Sequence, residues 1–472
     1  MDISPSKNSE ARPQAVNLLI TNGLLLSLAG NGDELVASEP TAVAVRGDRI
    51  ADIGPTELLQ SRYVADKVLD ASHHLIMPGL FNAHHHIGDY HARGLGTDKA
   101  LWGWLGTLMF PVWASIGPED AYVAALMACL ENIRMGNTTI ATHYYGMDRA
   151  KKENFDRVLQ ALQEAGLRAV LIRGFYDRKG PLLPPHVVEG KEEVLDHTEQ
   201  LLKSYHRRGA GRIQVWAGPI SLRIVNPDTV VELAELAQRY HSGIHIHVSE
   251  SERSRQGCID EYGMGEIEKL AEIGVLNERL VIGHGVWISD REIELLSEAG
   301  SHVSYNPVSN MFLADGVAPV PKLVKAGVNL ALGTDTASCN NTSDLFETVK
   351  FGLCLQKVHT LDATALSMQQ MFKMATLGGA RSVGWDGEIG TLEVGKKADI
   401  ILVGTRKAHV LPLHDPLAAF AYSLRGSDVE TVIVDGEVLM ENRVVHTLDE
   451  EMIYRTIIER APAVVKRAQS LI

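Results

Sequence analysis

The sequence predicts an α/β protein: a (β/α)8 TIM-like barrel carrying a small composite β-sandwich domain formed by both chain ends. Three observations lead there. At 472 residues the chain is long enough for one large catalytic domain and a smaller companion. Its middle alternates short apolar runs with longer amphipathic segments, the pattern of strands and helices in βαβ units. Its two ends are instead β-branched and rich in turns.

Residues 1–15 are polar, carry Pro13 and lack the apolar core of a signal peptide, so they are expected to be a flexible leader. Residues 16–28 are rich in apolar and β-branched side chains. Residues 41–54, T-A-V-A-V-R-G-D-R-I-A-D-I-G, read as a hairpin turning at Arg46-Gly47-Asp48. Residues 398–403 and 431–445 repeat this style near the other end. Strands from one end alone would bury too little apolar surface, so residues 1–77 and 391–448 are expected to share one β domain.

Between 78 and 390 the apolar runs are 138–141, 169–172, 213–217, 244–248, 280–282, 302–305 and 328–332. With a leading strand at 75–80 they make eight strand candidates. Segments 119–135, 152–165, 229–240, 290–299 and 319–325 have apolar residues at helical spacing. A barrel is the economical solution, because the helices cover the outside of a parallel sheet whose inside is filled with side chains. Gly136, Gly166, Gly274, Gly300 and Gly327 each follow a helical segment and are expected to cap it. Residues 449–472 are expected to add a packing helix.

The formal charge of −14, with no Lys/Arg block, argues against nucleic acid or an anionic membrane surface as partner. No uninterrupted apolar stretch is long enough to span a membrane. Cys129, Cys258, Cys339 and Cys354 form no C-x-x-C pair, which fits a reducing compartment and a cytoplasmic location. Shielding of barrel loops leads us to expect a homo-oligomer.

Residues 79–93 read G-L-F-N-A-H-H-H-I-G-D-Y-H-A-R. On a strand, residues i and i+2 share a face, so His84 and His86 point into one cavity while His85 points away. In G-I-H-I-H-V-S-E, His245 and His247 share a face, and spacing does not choose between them. His284 closes the apolar run L-V-I-G-H-G, and Asp335 sits just beyond a strand in L-A-L-G-T-D. Each has an ordinary explanation as a loop hydrogen bond or a helix cap. Their agreement is informative: all lie at C-terminal strand ends, where side chains from distant strands meet above a barrel. Imidazoles with a carboxylate suit one divalent ion, zinc foremost and iron also accepted.

These pieces, with P-G-L-F-N-A-H-H-H at 78–86, N-P-V-S-N-M at 306–311 and G-T-D at 333–335, resemble the amidohydrolase superfamily. The likeness is to its one-metal deaminase and triazine-hydrolase branch, and it covers nearly the whole chain. It implies that His84, His86, His247 and Asp335 hold the metal, that Glu250 shuttles protons and that His284 stabilises the adduct. Two-metal relatives bridge their ions with a modified lysine near the end of the fourth strand. Neither residues 212–219 nor 169–176 contain a lysine, so a single ion is expected.

The implied reaction is hydrolytic removal of an amino group from an aromatic N-heterocycle, with Asp335 also accepting the proton of the attacking water. The same apparatus could expel an alkylamine or chloride, as triazine hydrolases do, or open a cyclic amide. A non-enzymatic binding role would leave Glu250 and His284 without purpose. His91, Arg93, Trp104, His143, Arg173 and Asn306 are the expected substrate contacts. The resemblance to methylthioadenosine and S-adenosylhomocysteine deaminases also marks a departure. Gly103 stands where those enzymes place a ribose-binding glutamate, and Ile220 where they place a histidine. A free base, pterin-like ring or triazine is therefore expected over a nucleoside.

Overall fold

The computed structural model describes residues 13–32, 34–146, 151–180, 187–207 and 211–471. Most of the leader expected at 1–15 lies outside the described residues, while Gln14 and Ala15 already belong to a strand. The first strands are β1 (Gln14–Ala29), β2 (Glu34–Arg46), β3 (Arg49–Pro55), β4 (Tyr63–Asp70) and β5 (His74–Pro78). Next come β6 (Leu80–His86), β7 (Asn137–Tyr144), β8 (Arg168–Phe175), β9 (Ile213–Pro219) and β10 (Ile244–Val248). They are followed by β11 (Leu280–His284), β12 (His302–Tyr305), β13 (Asn329–Leu332) and β14 (Asp335–Thr336). The last are β15 (Ile400–Gly404), β16 (Val429–Val434), β17 (Glu437–Glu441) and β18 (Val444–Val445).

Both chain ends combine in one nine-stranded mixed sheet, ordered β18-β17-β16-β15-β5-β1-β2-β3 with β4 beside β1. The joint is the antiparallel pairing of β15 with β5. Ile20, Val43, Ile76, Ile400 and Ile433 share the core of this domain, so neither end could bury that surface alone. The β2–β3 turn places Gly47 at φ 63°, a conformation that costs glycine least.

One expected strand belongs elsewhere. Residues 75–80 do not open the barrel: His74–Pro78 joins the terminal sheet, and the first barrel strand starts at Leu80. The chain changes sheets at Gly79, where a Cβ would lie 2.1 Å from the Thr138 hydroxyl oxygen. Only glycine lets the backbone cross so close to β7.

The second sheet runs β13-β12-β11-β10-β9-β8-β7-β6-β14, with neighbouring strands parallel. It curls into a barrel that closes through its last crossing, where β13 and β14 are separated by Gly333 and Thr334. A Cβ at Gly333 would lie 2.6 Å from the His84 Cβ, so this break lets the last strand pass against β6. Asn82 stitches the gap, accepting from the Thr334 N–H (3.0 Å) and donating to its hydroxyl (2.7 Å). Helices such as Pro118–Arg134, Lys151–Ala165, Pro227–Arg239 and Asp290–Ala299 follow the strands. The five glycines expected as caps all take φ between 69° and 82°.

Phe81, Ala141, Val170, Trp216 and Val281 form an apolar cluster with Trp385 and Ile389 inside the barrel. Arg168, buried at the start of β8, ties the barrel to the terminal sheet through Asp399 (2.9 Å) and Asp435 (2.5 Å). The C-terminal helix Glu450–Gln469 clasps Asp120 with Arg460 (2.7 Å) and Arg467 (2.5 Å). No helix among the described residues is long and apolar enough to cross a membrane.

Candidate active site

Strand alternation on β6 sorts the three consecutive histidines. His85 faces outward, bonding Thr142 (2.9 Å) and Tyr90 (3.1 Å). His84 and His86 turn the other way, their Nε2 atoms 3.4 Å apart. His247 on β10 brings its Nε2 to 3.4 Å from that of His86. Asp335 on β14 sets Oδ1 3.1 Å from His86 Nε2 and 3.6 Å from His84 Nε2. His284 and Asp335 both adopt left-handed backbone, φ 71° and 65°, a sparsely populated conformation held where two strands end at the site.

These distances fit a cation. Metal–nitrogen bonds of about 2.0–2.1 Å give a tetrahedron with edges of about 3.3 Å, matching the 3.1–3.6 Å separations here. The tautomers fit as well. His247 Nδ1 donates to the Ile220 carbonyl (3.0 Å), which leaves Nε2 with a free lone pair aimed at the cluster. Burial disfavours a proton on His86, yet the hydrogen bond and charge of Asp335 outweigh it and raise its pKa. Burial likewise opposes ionisation of Asp335, but His86, His284 and the Ser309 hydroxyl (2.6 Å) hold its carboxyl well below the usual range. Imidazole nitrogens gathered with a carboxylate make a donor set that would suit one divalent ion. An overlapping cluster of His84, His143 and His245 lacks a carboxylate, and His245 is engaged with His84 Nδ1 at 2.9 Å.

Two further groups flank the cluster. Glu250 lies beyond β10, and burial together with Asp315, Asp335 and Glu266 drives its pKa well above the carboxylate range. Burial thus favours the protonated form, the one able to donate. His284 Nε2 lies 3.7 Å from Glu250 and 3.8 Å from Asp335, and burial pushes this imidazole down to about 4, which keeps it neutral. A cavity opens onto His86, His247, Glu250, His284 and Asp335. Its opposite walls are apolar, from Trp102, Trp104, Trp113, Ile220 and Leu313.

A family model described as the amidohydrolase family matches residues 75–439. The chain belongs to the amidohydrolase family. It is 38% identical over 451 residues to a 5-methylthioadenosine/S-adenosylhomocysteine deaminase of Caldanaerobacter subterraneus, covering 96% of this chain and 99% of that protein. Its fold superposes on an adenosine deaminase from Xanthomonas campestris with bound zinc: TM-score 0.86, 28% identity, 97% of this chain and 100% of that one. A triazine hydrolase from Arthrobacter aurescens has the same fold: TM-score 0.86, 22% identity, 95% of this chain and 99% of that one. In sequence the likeness is thus to deaminases of the family, and among the described residues the candidate metal donors gather in one centre around His84.

Of the substrate contacts expected from sequence, the amidohydrolase places only Trp104 on the cavity wall. His91 hydrogen-bonds the Asp120 carbonyl (2.9 Å), Arg93 pairs with Glu131 and Arg173 with Glu189. Those three side chains are held by their partners away from the cavity, because burying a charge or imidazole requires a nearby partner. His143 lies among the rings of His84, His86, His245 and His247, and Asn306 faces His284 Nδ1 at 3.4 Å. Both support the histidine cluster and do not line the cavity.

Sequence reading missed three participants. Asp89, fully enclosed, accepts from the Trp113 indole (2.5 Å) and the Thr336 hydroxyl (2.5 Å), locking one cavity wall to the residue beside Asp335. Glu266 accepts from Ser249 and Ser221 and so fixes the loop carrying Glu250. Tyr145 lines the cavity with its hydroxyl 3.5 Å from His247 Nε2. Asp89 lies within the histidine-rich segment 79–93 and Tyr145 two residues after His143, whereas nothing local to Glu266 points to the site.

Proposed function

We propose that this metal-dependent amidohydrolase removes an amino group hydrolytically from an aromatic N-heterocycle, taken as a free base, pterin-like ring or triazine. The observation that carries the reading is the placing of Glu250 and His284 beside the donor set, all opening onto one cavity, with His284 Nε2 3.7 Å from Glu250 and 3.8 Å from Asp335. His84, His86, His247 and Asp335 would hold one ion, zinc or iron. When bound, such an ion lowers the pKa of water toward neutrality and supplies a nucleophile.

Asp335 accepts the proton lost by the attacking water. Glu250 donates to the ring nitrogen, which makes the neighbouring carbon electrophilic as the C–O bond forms. His284 donates toward the adduct oxygen, where charge develops. Asp335 then returns its proton to the amino group, the C–N bond breaks and ammonia leaves. Glu250 recovers a proton from the adduct hydroxyl as the carbonyl forms, which restores both carboxyls.

The wall favours a ring without a sugar. Ser221 and Ser249 bond to Glu266, and Ser254 to Ser251, so these cavity hydroxyls are already engaged. Ile220 is apolar, and Gly103 has no side chain to offer a ribose. A nucleoside deaminase is the second reading, favoured by the names of the 5-methylthioadenosine/S-adenosylhomocysteine and adenosine deaminases. In either case the catalytic barrel, expected over 78–390, is taken to begin after Pro78, which ends a strand of the companion domain shared with 391–448, and the helix Glu450–Gln469 packs against the barrel. We place the protein in the cytoplasm as a homo-oligomer without a nucleic-acid partner, consistent with its net charge of −14. Ammonia release from aminated purines, pyrimidines, pterins and triazines, beside adenosine and methylthioadenosine, tests the choice. Faster turnover of the nucleosides would replace the first reading with the second.

A further inference from the structure

We infer that Asn310 is a positioning residue that holds His284 as its Nε2–H tautomer, so that His284 meets the substrate as a hydrogen-bond donor and not as a base. The inference rests on the proposed function only in taking the cavity as the substrate's place.

His284 is fully buried at the end of β11, and its two ring nitrogens have different surroundings. The Asn310 side-chain amide lies 3.0 Å from Nδ1, and the Asn306 amide 3.4 Å from the same atom. The orientation of each amide is set from its far side. Asn306 Oδ1 accepts from the Ser304 hydroxyl (2.9 Å), which turns its NH2 toward His284. Burial raises the Asp315 carboxyl and the Asn310 side chain pulls it back down, the effect of an amide NH2 and not of an amide oxygen turned toward it. The loop is closed behind it by the Asp315 N–H donating to the Asn310 carbonyl (2.9 Å).

Two N–H donors converging on Nδ1 require that nitrogen to be bare. A neutral imidazole carries one proton, so it sits on Nε2. That nitrogen has no hydrogen-bond partner among the described residues, and it lies between Glu250 Oε1 (3.7 Å) and Asp335 Oδ2 (3.8 Å). An N–H buried without an acceptor is costly. Here it faces the cavity, where a substrate or adduct oxygen would satisfy it. Asn310 is thus what separates a donor from a base at this position. It sits at the fifth residue of N-P-V-S-N, the turn that also carries Ser309 to Asp335.

Asn310→Asp changes almost no volume and reverses the hydrogen bond, since a carboxylate only accepts. The zinc-loaded full-length protein, labelled with 15N in its imidazoles, is compared with Asn310→Asp, and His284→Gln identifies the His284 signal. The expected result is a proton on Nε2 in the parent and on Nδ1 in Asn310→Asp. Turnover should fall about 10²–10³-fold with KM within about threefold, while zinc content and thermal midpoint stay close to the parent. A parent spectrum with the proton on Nδ1 overturns the inference without any variant having to fold. An Asn310→Asp spectrum that keeps Nε2–H at a pH high enough to ionise the new carboxyl overturns it as well. Because the tautomer is read without turnover, failure to deaminate any heterocycle would sink the proposed function and leave this result standing.

Discussion

His84 Nδ1 and His245 Nε2 are 2.9 Å apart in the barrel interior, while His84 Nε2 faces the carboxylate of Asp335. Strand β10 therefore contributes two imidazoles with different work: His247 meets the donor cluster, and His245 orients the ring of a residue that does. Groups that orient ligands in this way typically carry about 10–100-fold in metal affinity. His245→Ala should lower zinc affinity by that factor in chelator competition, with the fold intact by circular dichroism. Unchanged affinity would make His245 ordinary barrel filling.

Glu266 supports the loop of Glu250 at a cost that depends on pH. Burial, opposed by hydrogen bonds from Ser249 and Ser221, pushes its carboxyl from 4.5 up to about 7. The folded protein holds this proton more tightly than the unfolded chain. The stability contributed is fully present below the unfolded value and is lost as pH rises through about 7. Between pH 5 and pH 8 the parent should lose stability relative to Glu266→Gln, by at most about 3 kcal/mol. Thermal melts at both pH values check this, and parallel profiles would contradict it.

The sugar-free reading predicts a gain of function. Gly103→Glu with Ile220→His places on the cavity rim the two side chain types that the methylthioadenosine deaminase resemblance assigns to ribose. A Cβ at Gly103 meets nothing within 4 Å, so the first change has room. The ratio of kcat/KM for adenosine over adenine should rise at least about tenfold, the worth of one recovered hydrogen bond. A parent that already prefers adenosine would remove the reason for the design.

The pairing of His84 and His86 was legible because strand periodicity is rigid: H-x-H on β6 could present them together only by turning His85 away. The barrel was legible for the same reason, in alternating runs and in glycines such as Gly136 and Gly300 that take left-handed backbone. What escaped depends on partners far apart in sequence. Arg173 and Glu189, or Arg93 and Glu131, read as free polar groups until folding pairs them. Glu266 is a surface-like residue of a short helix by composition, and only tertiary packing brings it under Ser249. The first barrel strand was misplaced because Pro78-Gly79 interrupts one apolar run shared by two sheets.

The most direct test of the account is ammonia release by Glu250→Gln loaded with one ion per chain, assayed on a heterocycle the parent deaminates. The amide keeps the shape of Glu250 but carries no transferable acid proton. The account predicts retained metal and a loss of about 10²–10⁴-fold in kcat. Turnover at the parent's rate, with metal still bound, would contradict the proton route through Glu250 and the deaminase mechanism built on it.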